Sequence, residues 1–189
     1  MYKRTFVTVL LVLFSGFVIL RAQTSGNNVV DVILKSYSAK MFTTIPVSDN
    51  DIDLIVKCGM KAPSGRNYQP WKFTVIKDQT ITPELLKDIT AGNILIIISG
   101  VVKQDGTVDP FDCALATENM YVAAQALGLG AHIYAGPVAN INTNWKEKLG
   151  IPADYKAVTV LRIGSIDKNV DAVSAASTRK KAEEVVNYK

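Results

Sequence analysis

Histidine is nearly absent from this chain. One His and two Cys in 189 residues exclude a multi-histidine metal centre, a cysteine-rich zinc module and a disulfide-built scaffold. Charge is sparse as well. Only 20% of residues are charged and 48% are apolar, which excludes a disordered polymer and suits one packed domain. No G-x-S-x-G elbow occurs, so the lone His132 has no serine-hydrolase setting and reads as structural, at the end of a strand. Gly128-Leu129-Gly130 looks like half a dinucleotide fingerprint, but it follows a helical pattern and reads as a helix terminus. Cys58 and Cys113 lie in apolar helical patterns and read as buried free thiols. There is no internal repeat and no low-complexity linker.

What is present begins with a leader. Met1-Tyr2-Lys3-Arg4 is basic, Phe6 to Leu20 is an uncharged apolar run, and Arg21-Ala22-Gln23 breaks it. A basic start, a short apolar stretch and a small residue describe a secretory signal. The run is shorter than the about 20 residues a spanning helix needs. The chain therefore divides into residues 1–22, a signal peptide with an uncleaved anchor as the alternative, and residues 23–189, the folded domain. The leader holds Lys3, Arg4 and Arg21 and no acid. Without it the net charge falls from +4 to +1, with 18 basic residues against 17 acidic. A nearly neutral domain lacks the clustered basic face of a nucleic-acid binder. Export to the periplasm or the extracellular space is the expected localisation, with membrane attachment only if the leader is retained.

Within the domain, helices and strands interleave. Helical spacing covers Asn27–Ser36, and Ser48-Asp49-Asn50-Asp51 opens a capped helix through Met60. Trp71–Lys77 alternates as a strand, and Thr82-Pro83-Glu84 starts a short helix. Asn93–Gly100 (NILIIISG) is continuously apolar, as in a strand buried on both faces. Lys103–Pro110 is a turn, and Phe111–Leu129 the strongest helix, apolar on more than one side. Ala131–Tyr134 reads as a strand, Asn144–Leu149 as a helix, Ala157–Gly164 as a strand, and Val185–Tyr188 as an edge strand. The class is α/β or α+β around one sheet. Trp71 and Trp145 read as packing residues, and Glu118 and Asn119 as polar contacts at a dimer seam.

The most specific stretch is Met60–Val75 (MKAPSGRNYQPWKFTV), which gives A-P-S-x-x-N-x-Q-P-W between a helix and a strand. Pro63 ends the helix. Ser64, Gly65 and Asn67 place short hydrogen-bonding groups and backbone N–H groups on a tight loop, and Gln69 adds a donor and an acceptor. Such a loop can contact the edge of a flat heteroaromatic ring.

This segment resembles the first flavin-contacting loop of the nitroreductase family, and the resemblance extends over roughly residues 29–188. Ser36-Tyr37-Ser38-Ala39-Lys40-Met41-Phe42 stands where that family usually has R-R-S-x-R-x-F. Asp112–Gly130 is similar to its long interface helix ending A-x-x-L-G-L-G. Gly150-Ile151-Pro152, Ile163-Gly164 and the basic tail Ser177–Tyr188 are similar to later landmarks. The resemblance implies an α+β, three-layer, nitroreductase-like fold, with a central mixed or antiparallel sheet flanked by helices. It implies a homodimer with an exchanged C-terminal segment and noncovalent FMN at the subunit interface. Ser38, Lys40, Arg179 and Lys180 would contact the ribityl phosphate, for which cationic donors are suited. Pro63, Ser64, Gly65, Asn67 and Gln69 would line the ring edge and ribityl chain, and the Gly136 turn would offer an N–H near the hydride-accepting nitrogen. The implied activity is FMN-dependent electron transfer from a reduced nicotinamide, NAD(P)H, or another donor to a small acceptor such as a nitroaromatic or quinone. The alternative is an exported flavin-binding member without NAD(P)H-dependent reductase activity. No catalytic acid or base and no metal is implied. Two departures stand out: Ser36 and Tyr37 replace the arginine pair, and Lys40 offers a point charge where the family has a rigid guanidinium fork.

In a secretion-competent bacterial host the mature protein should begin at Gln23, which intact-mass measurement of the exported fraction would read. Recovery of full-length chain in the membrane fraction would establish the anchor instead.

Overall fold

The computed structural model describes residues 29–167 and 178–189. The leader, Asn27 and Asn28, and Ser174–Ser177 of the basic tail lie outside the described residues. In order, the elements are α1 (Val29–Lys35), α2 (Asp49–Met60), a 3-10 turn (Gly65–Asn67), β1 (Trp71–Ile76), α3 (Thr82–Leu85) and β2 (Ile94–Val101). They continue with α4 (Pro110–Ala126), β3 (Gly130–Tyr134), α5 (Val138–Asn140), β4 (Tyr155–Gly164) and α6 (Ala182–Val185). The four strands form one wholly antiparallel sheet in the order β1-β2-β4-β3. Among the described residues no helix is long and apolar enough to cross a membrane.

β2 explains the layering. Successive side chains of a strand point to opposite faces, and here both faces are covered. Ile94, Ile96 and Ile98 pack with Ile52 and Ile55 of α2 and Met120 and Ala124 of α4. Leu95 and Ile97 pack with Leu85, Ile141, Ile151 and Val160 on the other side. Each such side chain fully withdrawn from water contributes about 1.5–3 kcal/mol, so the uninterrupted apolar run is what three layers require. A bulge between Ile98 and Ser99 in the β2–β4 ladder shifts the parity of β4, which lets Ala157 share a face with Val160.

Local chemistry sets the helix ends. Ser48 caps α2, its Oγ accepting from the Asp51 N–H at 3.1 Å. Asp109 caps α4 through the Phe111 N–H at 3.1 Å, with Pro110 in the first helical position. At the far end of α4, the Gly128 N–H bonds the Gln125 carbonyl and the Leu129 N–H bonds that of Ala124, with Gly128 at φ 78°. This is a Schellman stop, which needs a left-handed residue. α2 lies close on α4 at Gly59, where an added Cβ would come 2.7 Å from Met120 Cγ.

Three expectations change. The helix expected at Asn144–Leu149 begins earlier, with α5 at Val138, and passes through a wide helical turn at Ile141–Trp145. There Asn142 bridges to β4 by both accepting from the Ala157 N–H and donating to its carbonyl. The tail expected to pair as an edge strand is instead one helical turn, α6, followed by extended Val186. Glu184 stabilises that turn by accepting from the Lys181 N–H at 3.0 Å. Cys58 is exposed rather than buried, because it falls on the outer side of the last turn of α2. Cys113 is buried, and both thiols are free. Burial, helped by the nearby carboxylates of Asp112 and Asp109, pushes the Cys113 thiol up to about 11. His132, Trp71 and Trp145 are packing residues as expected.

A buried polar knot joins the layers. Arg162 of β4 donates from Nε to Asn93 Oδ1 at 2.8 Å and from Nη2 to Thr90 Oγ1 at 3.0 Å. Its guanidinium lies 3.9 Å from the centroid of the Phe42 ring. Asn93, itself fully buried, also donates to the Thr43 carbonyl at 3.3 Å.

Asn93→Ala should therefore lower stability by about 2–4 kcal/mol, since it leaves a buried cation short of an acceptor; urea unfolding monitored by circular dichroism reads this. At pH 8 a thiol reagent should modify Cys58 in the native protein and reach Cys113 only after denaturation.

Candidate functional site

The loop between α2 and β1 is held in a conformation that ordinary residues avoid. Arg66, Asn67 and Gln69 all have positive φ, at 49°, 59° and 48°. Gln69 does so immediately before Pro70, a setting that favours extended backbone. Each such residue costs on the order of 1 kcal/mol or more and persists only where its surroundings enforce it. The enforcing contacts are specific. Ser64 Oγ accepts from the Gln69 N–H at 3.0 Å. The Asn67 N–H bonds the Ser64 carbonyl and the Tyr68 N–H bonds that of Gly65, both at 3.0 Å. Asp112 of α4 accepts from the Gly65 N–H, with its two oxygens at 3.2 and 3.3 Å. Most of the backbone N–H groups that this loop offers are thus committed within the protein. Side-chain edges remain on offer. Gln69 Nε2 donates to Asn67 Oδ1 at 3.2 Å. That leaves Asn67 Nδ2 and Gln69 Oε1 as an exposed donor and acceptor, beside exposed Pro63.

The second group of candidates lies on the other side of the sheet. The Ala39 N–H bonds the Ala131 carbonyl at 3.0 Å, and His132 Nδ1 meets the Ala39 carbonyl at 2.8 Å. Further on, the Thr43 N–H bonds the Ser165 carbonyl at 2.8 Å. Residues 39–43 thus run along the outer side of β3 and the end of β4. Two glycines paired across that ladder, Gly130 and Gly164, make the seat. A Cβ at Gly130 would stand 2.4 Å from Ile166 Cγ2 and 2.9 Å from both Ala39 and Phe42, and one at Gly164 would strike Asn93. Ala39 is buried, so its neighbours Ser38 and Lys40 are directed outward and exposed. Their Oγ and Nζ have no partner among the described residues. Gly136 lies on the exposed turn after β3, with open space where a Cβ would be. Arg179 and Lys180 lie in the exposed stretch leading into α6, which the chain reaches through residues 168–177, outside the described residues.

The structure therefore gathers Ser64, Gly65, Asn67 and Gln69 in one place and Ser38 and Lys40 in another, beside the start of β3, with the Gly136 turn beyond that strand's far end. α4 connects them. Asp112 in its first turn holds the loop, and Gln125 in its last turn accepts from the Tyr37 N–H at 3.1 Å. Thirteen residues at 1.5 Å each separate the two groups by about 20 Å along the helix. Asp112 did not emerge from the sequence as a site candidate, because its partner is 47 positions away and nothing local marks the pair. Asn119, expected at a dimer seam, makes its contact within the chain, between α4 and α2. Its Nδ2 donates to the Cys58 carbonyl at 3.2 Å, where α2 leads into the loop.

Comparison with known proteins fits this geometry. The family model described as Nitroreductase family matches residues 33–109, the stretch that holds both Ser38–Lys40 and the strained loop. A protein of Archaeoglobus fulgidus named "Putative NADH dehydrogenase/NAD(P)H nitroreductase" is 33% identical over 138 residues, 67% of this chain and 79% of that one. The NADPH-flavin oxidoreductase of Vibrio harveyi is 24% identical over 165 residues, 76% of this chain and 68% of its own. In fold, the crystal structure of a nitroreductase with bound FMN from Bacteroides fragilis superposes with a TM-score of 0.71 at 21% identity, covering 86% of this chain and all of that one. A four-stranded antiparallel sheet between helical layers, the strained loop before β1 and these matches lead to one conclusion: the chain belongs to the nitroreductase family.

Proposed function

We propose that this protein is an FMN-dependent oxidoreductase that works as a homodimer, with each flavin shared between two copies. The observation that carries the reading is the separation of the two candidate groups to opposite ends of α4. One chain offers outward donors at Ser38 and Lys40 near the last turn of α4 and, about 20 Å back along the helix axis, the amide edges of Asn67 and Gln69 near its first turn. Two copies related by a twofold axis across α4 would set the first group of one beside the second group of the other. An isologous contact of this kind repeats every pairing twice, giving two equivalent sites. Exposed apolar side chains suit such a seam: Val29, Val30, Ile33 and Leu34 on α1, Phe111 and Leu127 on α4, and Val185, Val186 and Tyr188 in the tail. The tail is the segment proposed to cross to the partner.

The residues present fit FMN by their chemistry. Ser38 Oγ and Lys40 Nζ are outward donors suited to a phosphate dianion, and Arg179 and Lys180 add charge. Asn67 and Gln69 offer a donor and an acceptor to the ring edge. The Gly136 turn leaves backbone accessible five residues along from Ala131, about 16 Å in extended chain, so donors for the two ends of an elongated ligand lie on one edge. When bound, FMN supplies the two-electron chemistry. The protein's part is to anchor the phosphate, orient the ring and exclude water. We propose a reduced nicotinamide as the donor and a small nitroaromatic or quinone as the acceptor, and that the protein acts after export. Lys40 in place of the expected arginine favours, as a second reading, a flavin-binding protein that NAD(P)H does not reduce.

Residues 23–189 should sediment as a dimer and take up FMN with absorbance near 450 nm, bleached anaerobically by NADH or NADPH. Bleaching by dithionite alone would favour the second reading, and no uptake of FMN would overturn both. Lys40→Ala and Asn67→Ala homodimers should each lose FMN. Unfolded together and refolded as a mixture, they should regain about a quarter of the sites, since a mixed dimer has one intact site and one doubly altered. No regain would exclude the shared site.

A further inference from the structure

We propose that Asp112 is a positioning residue for the flavin: through Gly65 it holds the loop 63–69 in its ligand-ready form, with Asn119 fixing the root of that loop. The inference rests on the FMN reading above and adds residues that act through the loop rather than by touching the cofactor.

The geometry points to this role in three ways. First, the loop is strained at Arg66, Asn67 and Gln69, and such strain relaxes unless something outside the loop opposes it. Most of its restraints are internal: Ser64 with Gln69 and Asn67, Gly65 with Tyr68, Gln69 with Asn67. These fix the shape of the loop but not its place on the protein. The contact from the Gly65 N–H to both oxygens of Asp112, at 3.2 and 3.3 Å, ties it to another element. Second, an acid in the first turn of a helix would ordinarily favour the helix's own free amides. Asp112 accepts instead from a residue 47 positions earlier. Third, Asp112 and Asn119 are seven residues apart, two turns on one face of α4. Asn119 donates to the Cys58 carbonyl at 3.2 Å near the end of α2. One face of α4 thus grips the α2–β1 connection on both sides of Pro63, while close packing at Gly59 and Met120 sets the distance between the helices.

Asp112→Ala, Asp112→Asn and Asn119→Ala should be compared with wild type in full-length mature dimers. The measurements are FMN dissociation constant by fluorescence quenching, thermal midpoint of the apo protein, and amide exchange of the loop. Asp112→Ala should weaken FMN binding roughly 10- to 100-fold, the worth of a hydrogen bond to a charged acceptor, and speed exchange at Gly65 with little change in midpoint. Turnover should recover at saturating FMN. Asp112→Asn keeps an acceptor oxygen without the charge and should restore most of the affinity, whereas a purely helix-dipole role predicts no rescue. Asn119→Ala should loosen the loop in the same direction. Unchanged FMN affinity in Asp112→Ala, or a loss that follows the thermal midpoint and is not rescued by Asn, overturns the inference and leaves the FMN reading standing. Failure of the wild type to bind FMN overturns both.

Discussion

The burial of β2 on both faces is the constraint on which the rest of the structure depends. Ile94, Leu95, Ile96, Ile97 and Ile98 are almost wholly withdrawn from water, and an apolar strand of this kind needs a cover on each side. α2 and α4 provide one cover; α3, α5 and the wide turn after it provide the other. Because β2 pairs with both β1 and β4, neither site-bearing segment can lie against it. The loop before β1 and the segment outside β3 are pushed to opposite edges of the sheet, whose edge strands β1 and β3 are themselves three strand spacings or about 14 Å apart. Separation of the two candidate groups is thus a consequence of core packing.

α4 converts that separation into a definite geometry. Its buried residues, Cys113, Ala116, Thr117, Met120, Tyr121 and Ala124, are mostly small, which allows close approach to the sheet and to α2. Its two ends meet the two candidate groups, through Asp112 at the first turn and Gln125 at the last. A helix is the stiffest spacer a short chain can supply, so the distance between the groups is fixed more firmly than either loop alone could fix it. A second copy running the opposite way along the same axis would inherit the same spacing with the ends exchanged, and both sites would form together.

Much of this was legible in the sequence because the signals are local. The β2 run, the Ser48 cap with Asp51, the Schellman stop at Gly128 and the strand from Trp71 each depend on a few neighbouring residues. The A-P-S-x-x-N-x-Q-P-W segment marks the candidate loop for the same reason. The features that could not be read depend on residues far apart. Cys58 looked buried because its neighbours are apolar, but the outer side of α2 near its end has nothing packed on it among the described residues. The tail looked like a strand from Val185 and Val186, whereas Ala182, Glu183 and Glu184 favour a helical turn. Among the described residues, no strand pairs with residues 186–189. Asp112 carried no local mark at all; its meaning lies in a hydrogen bond to Gly65.

The chemistry of the described site has the same character. His132 is tied to the Ala39 carbonyl and stacked on Tyr134, 4.3 Å between ring centroids, so it serves the seat of the Ser38–Lys40 segment. Cys113 is held protonated by burial. The hydrogen-bonding groups that the candidate positions present outward are amides, a hydroxyl and ammonium groups, a chemistry suited to anchoring and orienting a ligand. With FMN bound as proposed, the work left to these residues would be placement. Strain at Arg66, Asn67 and Gln69 is then intelligible: three left-handed residues direct two amide edges outward at one spot, and the stability they sacrifice is small beside the core that β2 organises.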